Sequence, residues 1–265
     1  MRIGFVTDEI AANVEEAIDT GLSWGIRDFE LRMMGERRVP AVDPGDIQRV
    51  VALQRKHGLR ITALSPGVFK GTLQDDALLM RELNDTLPET FRLARLFDTK
   101  IVIIFGFKRS SQDEVEDEKR AVDVFHHAAM LAKQHGLILA IENEPGFWCD
   151  TGANTARILA LVNSKHLRAN WDPGNAIGTE EMPFPDGYNA LKKWIGNVHV
   201  KDTIKGTLVE CVPVGEGKVD WQGQLQALAR DKIVEHVTIE THCLPLMENS
   251  KKNLEVVRRI LAKAE

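Results

Sequence analysis

The chain has 265 residues, of which 43% are apolar and 28% are charged, and its formal net charge is −5. This composition is typical of a folded globular protein and argues against intrinsic disorder, and no apolar run reaches the length of a membrane span. The acidic balance offers no broad electrostatic attraction to nucleic acid or to anionic lipid.

The N-terminus and the cysteines indicate the compartment. The opening residues MRIGFVTDEI interrupt a short apolar run with two acidic side chains, so they lack the long apolar region of a secretory signal. The three cysteines, Cys149, Cys211 and Cys243, show no CxxC spacing, and their odd number argues against a disulfide framework. We therefore expect a cytoplasmic protein with reduced thiols.

Eight short runs rich in apolar and β-branched residues occur along the chain, and each is followed by a stretch of helical periodicity. In chain order the runs are RIGFV near the start, DFELR at 28–32, ITALS at 61–65, IVIIFG at 101–106, LILAIEN at 137–143, RANWD at 168–172, NVHVKD at 197–202 and VTIETH at 237–242. No Ser/Gly-rich linker divides the chain. The repeated pattern predicts one domain over residues 1–265 of class α/β, a (β/α)8 TIM barrel.

The stretches between the runs carry helix signals. Residues 43–58 and 110–136 each place apolar side chains at helical spacing and end at a glycine, Gly58 or Gly136, which is a common C-terminal cap. The segment from about 71 to 98 contains Pro88, so we expect a helix that is broken or kinked there.

Polar side chains at the C-terminal ends of strands are the candidates for chemistry, because the active site of such a barrel lies at that end. The last four predicted strands each supply one: Glu142, Asp172, His199 and Glu240. Three carboxylates that converge at a mostly apolar rim repel one another unless a cation or protons compensate them. Three carboxylates and an imidazole form a mostly oxygen ligand set, which predicts a divalent metal site, with Mn²⁺ or Mg²⁺ favoured and Co²⁺ or Zn²⁺ as further candidates.

The motifs IENEPG, NWDPGN, HVKD, VGEGKVDW and IETH, in this order and spacing, resemble the xylose isomerase-like TIM-barrel superfamily of sugar isomerases and epimerases. The resemblance implies that Glu142, Asp172, His199 and Glu240 bind the metal and that Glu142 and Glu240 also move protons. A metal that holds the carbonyl and hydroxyl oxygens of an α-hydroxy ketone acidifies the C–H between them and stabilises the enediolate that forms. The expected function is isomerisation or epimerisation of a small ketose, keto-acid or sugar derivative.

One departure from the family bears on the reaction. Epimerase relatives often carry a histidine three residues after the aspartate ligand, whereas this chain has Asn175, which orients a hydroxyl but is neither acid nor base at neutral pH. The identification as a ketose 3-epimerase is therefore open. The expected substrate contacts are polar residues near strand ends: Asn175, Lys201, Asp202, Glu30, Arg32 and His242.

Three other functions stay open. The first is a lyase that resembles inosose dehydratase and uses the same metal site to expel a hydroxyl group. Related barrels include apurinic endonucleases, but their multi-zinc cluster needs further ligands, and the acidic balance disfavours a DNA-binding face. A sugar-binding barrel without catalysis uses the two glutamates only as ligands. No basic cluster in the sequence marks a phosphate site, so the expected partner is a sugar-like small molecule, free or phosphorylated, and a homo-oligomer is expected only by resemblance.

Overall fold

The structure, a computed structural model, describes residues 1–206 and 210–264 of the chain. Its strands are β1 Arg2–Val6, β2 Asp28–Leu31, β3 Met33–Met34, β4 Arg37–Arg38, β5 Arg60–Leu64, β6 Ile101–Phe105, β7 Ile138–Glu142, β8 Leu167–Trp171, β9 Ile195–Val200, β10 Asp202–Thr203, β11 Cys211–Val212 and β12 His236–Ile239. Its α-helices are α1 Val14–Ser23, α2 Pro44–His57, α3 Asp76–Arg81, α4 Leu87–Leu96, α5 Val115–Gln134, α6 Gly152–Val162, α7 Pro173–Ala176, α8 Tyr188–Leu191, α9 Trp221–Asp231 and α10 Leu246–Leu261.

Eight of the strands form a closed barrel in the order β1-β12-β9-β8-β7-β6-β5-β2, and all neighbours in it are parallel. Each predicted strand run overlaps one barrel strand, with bounds that differ by up to three residues, and the strands follow one another around the barrel in chain order. The predicted (β/α)8 barrel is therefore confirmed. Two antiparallel ribbons, β3–β4 after β2 and β10–β11 after β9, are additions that the sequence analysis did not include.

The helix signals act as expected. Asp43 caps the N-terminus of α2 by accepting the backbone N–H of Gly45, and Gly58 ends it in the left-handed conformation at φ 63°. A π-helical turn, Glu82–Thr86, joins α3 to α4 and ends two residues before Pro88, so the predicted irregularity takes the form of a π-turn within a continuous helical segment. Among the described residues, no helix combines the length and apolar character that crossing a membrane requires.

The core lies mainly between the strands and the surrounding helices. Along β7, Leu139 and Ile141 pack in the large apolar cluster that includes helical residues, whereas Ala140 belongs to a small separate cluster with Ala63 and Ile103. Because side chains alternate between the two faces of a strand, this division separates the outer face of the barrel from its interior. The residues two positions after each interior side chain therefore also point inward.

Candidate functional site

The same alternation places the polar strand ends inside the barrel mouth. In β7, Glu142 follows the inward Ala140 by two residues, while in β12 the outward Val237 and Ile239 leave Thr238 and Glu240 facing inward. In β9 the outward Val198 and Val200 place His199 inward by the same reasoning. The sequence pattern of these strands thus sets which side chains can meet across the barrel.

The four predicted ligand residues do meet. Glu142, Asp172, His199 and Glu240 each offer one ligand atom, and these atoms lie within 4.8 Å of one another. All four side chains are buried, with Glu142 the most exposed at 5%. The four come from four successive barrel strands or the residues directly after them, so the barrel itself brings them together.

Glu30 orients the imidazole of His199. The two oxygens of its carboxylate lie 3.0 and 3.2 Å from Nε2 of His199, and both residues are buried. With Nε2 engaged, Nδ1 faces the other carboxylates, at 3.4 Å from Glu240 Oε2 and 3.7 Å from Glu142 Oε1. A carboxylate behind the imidazole is the arrangement that fixes the tautomer and orientation of metal-binding histidines.

Glu240 has several cationic neighbours. Its Oε1 accepts from Arg32 at 2.6 Å and lies 3.1 Å from His242 Nε2, and its Oε2 lies 3.2 Å from Lys201 Nζ. Burial by itself raises the pKa of Glu240, but Lys201, His242 and His199 together hold that pKa well below its ordinary value. The carboxylate is therefore ionised at neutral pH.

Lys201 lies between two of the predicted ligands. Its Nζ is 2.7 Å from Asp172 Oδ2 and 3.2 Å from Glu240 Oε2, and its side chain is 3% exposed. Burial alone lowers the pKa of Lys201, yet the carboxylates of Asp172, Glu240 and Glu142 outweigh burial and raise it well above its ordinary value. The ammonium is thus a fixed positive charge that offsets part of the repulsion among the carboxylates.

Amide side chains fix Glu142. Its Oε1 lies 3.4 Å from Asn175 Nδ2 and its Oε2 lies 3.3 Å from Asn170 Nδ2, each of which donates to it. The same Asn175 amide donates to the backbone oxygen of Asn143 at 2.8 Å, which holds the side chain in place. Asn175 therefore lies beside the Glu142 carboxylate, and its expected role in orienting a substrate hydroxyl stays a prediction.

The residues fit a divalent metal. His199 Nδ1 is buried and has no hydrogen-bond partner among the described residues, and it faces two carboxylates. An imidazole nitrogen and three carboxylate oxygens form a donor set suited to a hard or borderline divalent ion. Such an ion would satisfy the buried nitrogen and offset the clustered negative charge at the same time.

A second group, Glu9, Glu240 and His242, also brings ligand-type atoms within 4.8 Å. Here the guanidinium of Arg32 already bridges the carboxylates, at 2.5 Å from Glu9 and 2.6 Å from Glu240, and it also pairs with Asp8 at 2.8 Å. Arg32 therefore supplies the positive charge that this group requires, and its geometry does not call for a second metal ion.

An open cavity of about 280 Å³ adjoins this cluster. Its lining includes Glu142 and Glu240 together with four of the predicted substrate contacts, Asn175, Lys201, Arg32 and His242. The volume is near the lower end for small-molecule pockets, so the cavity suits a compact ligand of a few carbon atoms.

Two predicted substrate contacts lie elsewhere. Glu30 is behind His199 and is 0% exposed, so its carboxylate is committed to the imidazole. The carboxylate of Asp202 accepts backbone N–H groups from Thr203, Gly215, Gly217 and Val219, at 2.8 to 3.2 Å. Asp202 thus stabilises the loop before α9, and a substrate contact by either residue stays a prediction.

The cavity also contains side chains that the sequence analysis did not select. Arg38 in β4 and Lys70 and Glu144 in the loops after β5 and β7 all line it. Arg38 lies six residues beyond the end of the predicted strand at 28–32, too far for a strand-end criterion to select it. The loops that carry Lys70 and Glu144 have no periodic pattern that fixes their path, so only the folded structure brings them to the mouth.

Comparisons with known proteins agree with this geometry. A family model described as "Xylose isomerase-like TIM barrel" matches residues 18–260. No curated protein sequence matches the chain.

Among solved structures, the probable 3-DHS dehydratase AsbF of Bacillus anthracis is similar at 19% identity and a TM-score of 0.82, over 97% of this chain and 99% of that one. The IOLI protein, solved with a binding zinc atom, is 19% identical with a TM-score of 0.83, over 100% and 99%. The 3-keto-D-glucoside 4-epimerase YcjR of E. coli is 18% identical with a TM-score of 0.78, over 98% and 99%. At these identities the likeness shows the fold.

Proposed function

Because the chain belongs to the xylose isomerase-like TIM-barrel family, we propose that it is a divalent-metal-dependent isomerase or epimerase of a small α-hydroxy ketone. The observation that carries the proposal is the convergence of Glu142, Asp172, His199 and Glu240 within 4.8 Å beside a small cavity. We assign these four as the metal ligands, with Mn²⁺ or Mg²⁺ preferred because three of the four donors are carboxylates. Co²⁺ and Zn²⁺ are further candidates, and zinc is the ion named for the similar IOLI protein.

Glu142 and Glu240 form the proposed acid/base pair. A divalent ion on the four ligands would polarise the carbonyl and hydroxyl oxygens of the substrate and acidify the C–H between them. One carboxylate accepts that proton, and a proton is then returned to the neighbouring carbon in an isomerisation or to the opposite face of the same carbon in an epimerisation. The lowered pKa values of Glu142 and Glu240, despite burial, keep both carboxylates ionised and able to accept a proton.

The N–H donors around the cavity support binding of a polyhydroxylated ligand. Lys201 and Arg32 line it with cationic groups, and the Asn175 amide lies beside Glu142. We assign Asn175, Lys201 and Arg32 to orient hydroxyl or carbonyl oxygens of the substrate. His242, which also lines the cavity and is 3.1 Å from Glu240, is assigned to the same role.

A dehydratase reaction is the second candidate. The observation that favours it is the position of His242, whose imidazole lines the cavity 3.1 Å from Glu240. In that reaction one carboxylate removes the proton, the hydroxyl on the adjacent carbon leaves, and a protonated imidazole gives it the proton that makes it water. The similar AsbF protein is described as a probable dehydratase. The mass of the product separates the two reactions, because dehydration removes one water and isomerisation leaves the mass unchanged.

Two measurements test the proposal together. The first is the metal content of the protein purified without added metal, and the second is exchange of deuterium from D2O into a panel of hydroxy ketones. We expect metal-dependent exchange in the wild type and its loss in Glu240→Gln. Glu82→Gln, a buried glutamate outside the cavity, is the matched control and should exchange like the wild type. If no metal is bound and none of Mn²⁺, Mg²⁺, Co²⁺ or Zn²⁺ elicits exchange, the proposal fails and a binding barrel is the better explanation.

A further inference from the structure

The positive charges that line the cavity differ in whether they have a partner. Arg32, Lys201 and His242 each lie within 3.2 Å of at least one buried carboxylate. Lys70 lies 3.7 Å from Glu144 and is 43% exposed, which makes a weak pair. Arg38 is different, because among residues 1–206 and 210–264 no carboxylate lies within ion-pair distance of its guanidinium.

The fold holds Arg38 in place at the cavity wall. Its backbone pairs with Met33 in the β3–β4 ribbon, and its Nη1 donates to the backbone oxygen of Ser65 at 3.2 Å. Gly67 leaves the space that the side chain uses, since a Cβ there would lie 3.0 Å from Nη1 and 3.1 Å from Cδ of Arg38. Gly67 also has φ 79°, a conformation in which other residues are strained. One carbonyl bond leaves most of the five guanidinium N–H donors available.

The environment of Arg38 is desolvated. Burial, and then the nearby Arg32 guanidinium, lower the pKa of Arg38 from its ordinary value, and the more distant carboxylates of Asp8, Glu142 and Glu240 offset this effect only in part. A half-buried guanidinium with free donors is a group that an oxyanion would stabilise, because carboxylate and phosphate oxygens match the planar fork of arginine.

From this geometry we infer that Arg38 binds an oxyanionic group of the substrate, a carboxylate or a phosphate, with Lys70 as a second cation that lines the same cavity. The inference rests on the proposed function, because it makes the substrate an anionic hydroxy ketone instead of a neutral sugar. No basic cluster in the sequence marks a site for such a group. Arg38 and Lys70 are 32 residues apart in the chain, and only the fold brings both to one cavity.

Three probes that share one hydroxy-ketone end test the inference. Dihydroxyacetone is neutral, hydroxypyruvate carries a carboxylate, and dihydroxyacetone phosphate carries a phosphate. Their dissociation constants are measured by calorimetry on the protein loaded with Mn²⁺. We expect at least one anionic probe to bind about ten- to a hundred-fold more tightly than dihydroxyacetone, the range of a charge-assisted hydrogen-bonded pair. The tighter of the two anions identifies the carboxylate or the phosphate as the group recognised.

Variants of two neighbouring arginines test whether Arg38 causes the preference for anionic probes. Arg38→Met should lose it while binding dihydroxyacetone as the wild type does, which also shows that the site is intact. Arg37→Met is the matched control, because Arg37 is exposed on the same ribbon, and it should keep the preference. If Arg38→Met does not fold, Arg38→Lys replaces it: its preference must fall, since the planar fork is lost, while Arg37→Lys stays unchanged.

Two outcomes overturn the inference: equal affinity for the three probes in the wild type, or an anion preference that Arg38→Met retains. Deuterium exchange measured on the same samples keeps this result separate from the proposed function. Exchange into dihydroxyacetone without any anion preference refutes the role of Arg38 and leaves the isomerase proposal intact. An anion preference that depends on Arg38, in a protein that exchanges no substrate, refutes the isomerase proposal and leaves the anion site standing.

Discussion

The contact between Glu30 and His199 leads to a prediction about metal affinity. Glu30 accepts from His199 Nε2 through oxygens at 3.0 and 3.2 Å, and both side chains are 1% exposed. Glu30→Gln keeps the volume and one acceptor oxygen but removes the negative charge that increases the basicity of the ring. Glu30→Ala removes both the charge and the acceptor, so the imidazole also loses its fixed orientation.

The expected size of the effect follows from other carboxylate–histidine–metal arrangements. Loss of such a partner lowers metal affinity by about 10- to 100-fold, equivalent to about 1.4 to 2.7 kcal/mol. The low end is expected for Glu30→Gln, because the amide oxygen still accepts from Nε2. Glu30→Ala should approach the high end, because a buried donor is then left without a partner.

The dissociation constant for Mn²⁺ is measured by competition with a fluorescent chelator at neutral pH, with thermal unfolding of each variant as a check on folding. Glu82→Gln is the control, because Glu82 is also buried but accepts from the backbone N–H of Phe69 outside the cavity. Wild-type affinity in both Glu30 variants, within about twofold, would refute the reasoning that Glu30 acts on the metal through His199.

Three further predictions concern other parts of the structure. Gly174→Ala should weaken Mn²⁺ binding and destabilise the fold by about 1–3 kcal/mol, because the new Cβ would lie 2.8 Å from the backbone oxygen of Lys201 and 3.0 Å from Asp172 Oδ1. Chelator competition measures the metal affinity, and denaturant unfolding measures the stability. Asp202→Asn should lower the unfolding free energy by about 1–3 kcal/mol, because an NH2 group replaces an oxygen that accepts backbone N–H groups. An unchanged stability with a raised KM would instead indicate that Asp202 contacts the substrate. Burial raises the pKa of Glu82 to about 7, so the folded state holds this proton more tightly than the unfolded state does. The stability that the bound proton contributes is therefore lost as the pH rises from about 4.5 through 7. Between pH 5 and pH 8, the unfolding free energy of Glu82→Gln should rise by about 1–2 kcal/mol relative to that of the wild type.

The barrel was predictable because its information is local. Each strand is a short apolar run next to a helical pattern, and the closed order β1 to β12 follows from joining consecutive βα units. The four ligand candidates were predictable for the same reason. A charged residue at the end of an apolar strand, in register with its inward-facing neighbours, has its position set by the alternation of side chains, as Glu142 after Ala140 shows.

The contacts that were not predicted join residues far apart in the chain. Glu30 was expected at the substrate, yet its partner is His199, 169 positions further along the chain and on a strand that is not its neighbour. Asp202 was also expected at the substrate, but its carboxylate accepts backbone N–H groups from the loop that contains Gly215 and Val219. Neither of these long-range contacts is encoded in a local sequence pattern.

The arrangement of charge around Glu240 indicates how one barrel could support different reactions. Its two oxygens face different cations, Arg32 and His242 on one side and Lys201 on the other, and these cations in turn are held by Asp8, Glu9 and Asp172. The carboxylate is therefore fixed by a network that belongs to the barrel mouth and does not depend on the substrate. Arg38 lies in a separate ribbon after β2, outside this network. Changes in the ribbon and loops can thus alter which substrate is bound, while the geometry of the carboxylates that we propose to transfer protons is retained.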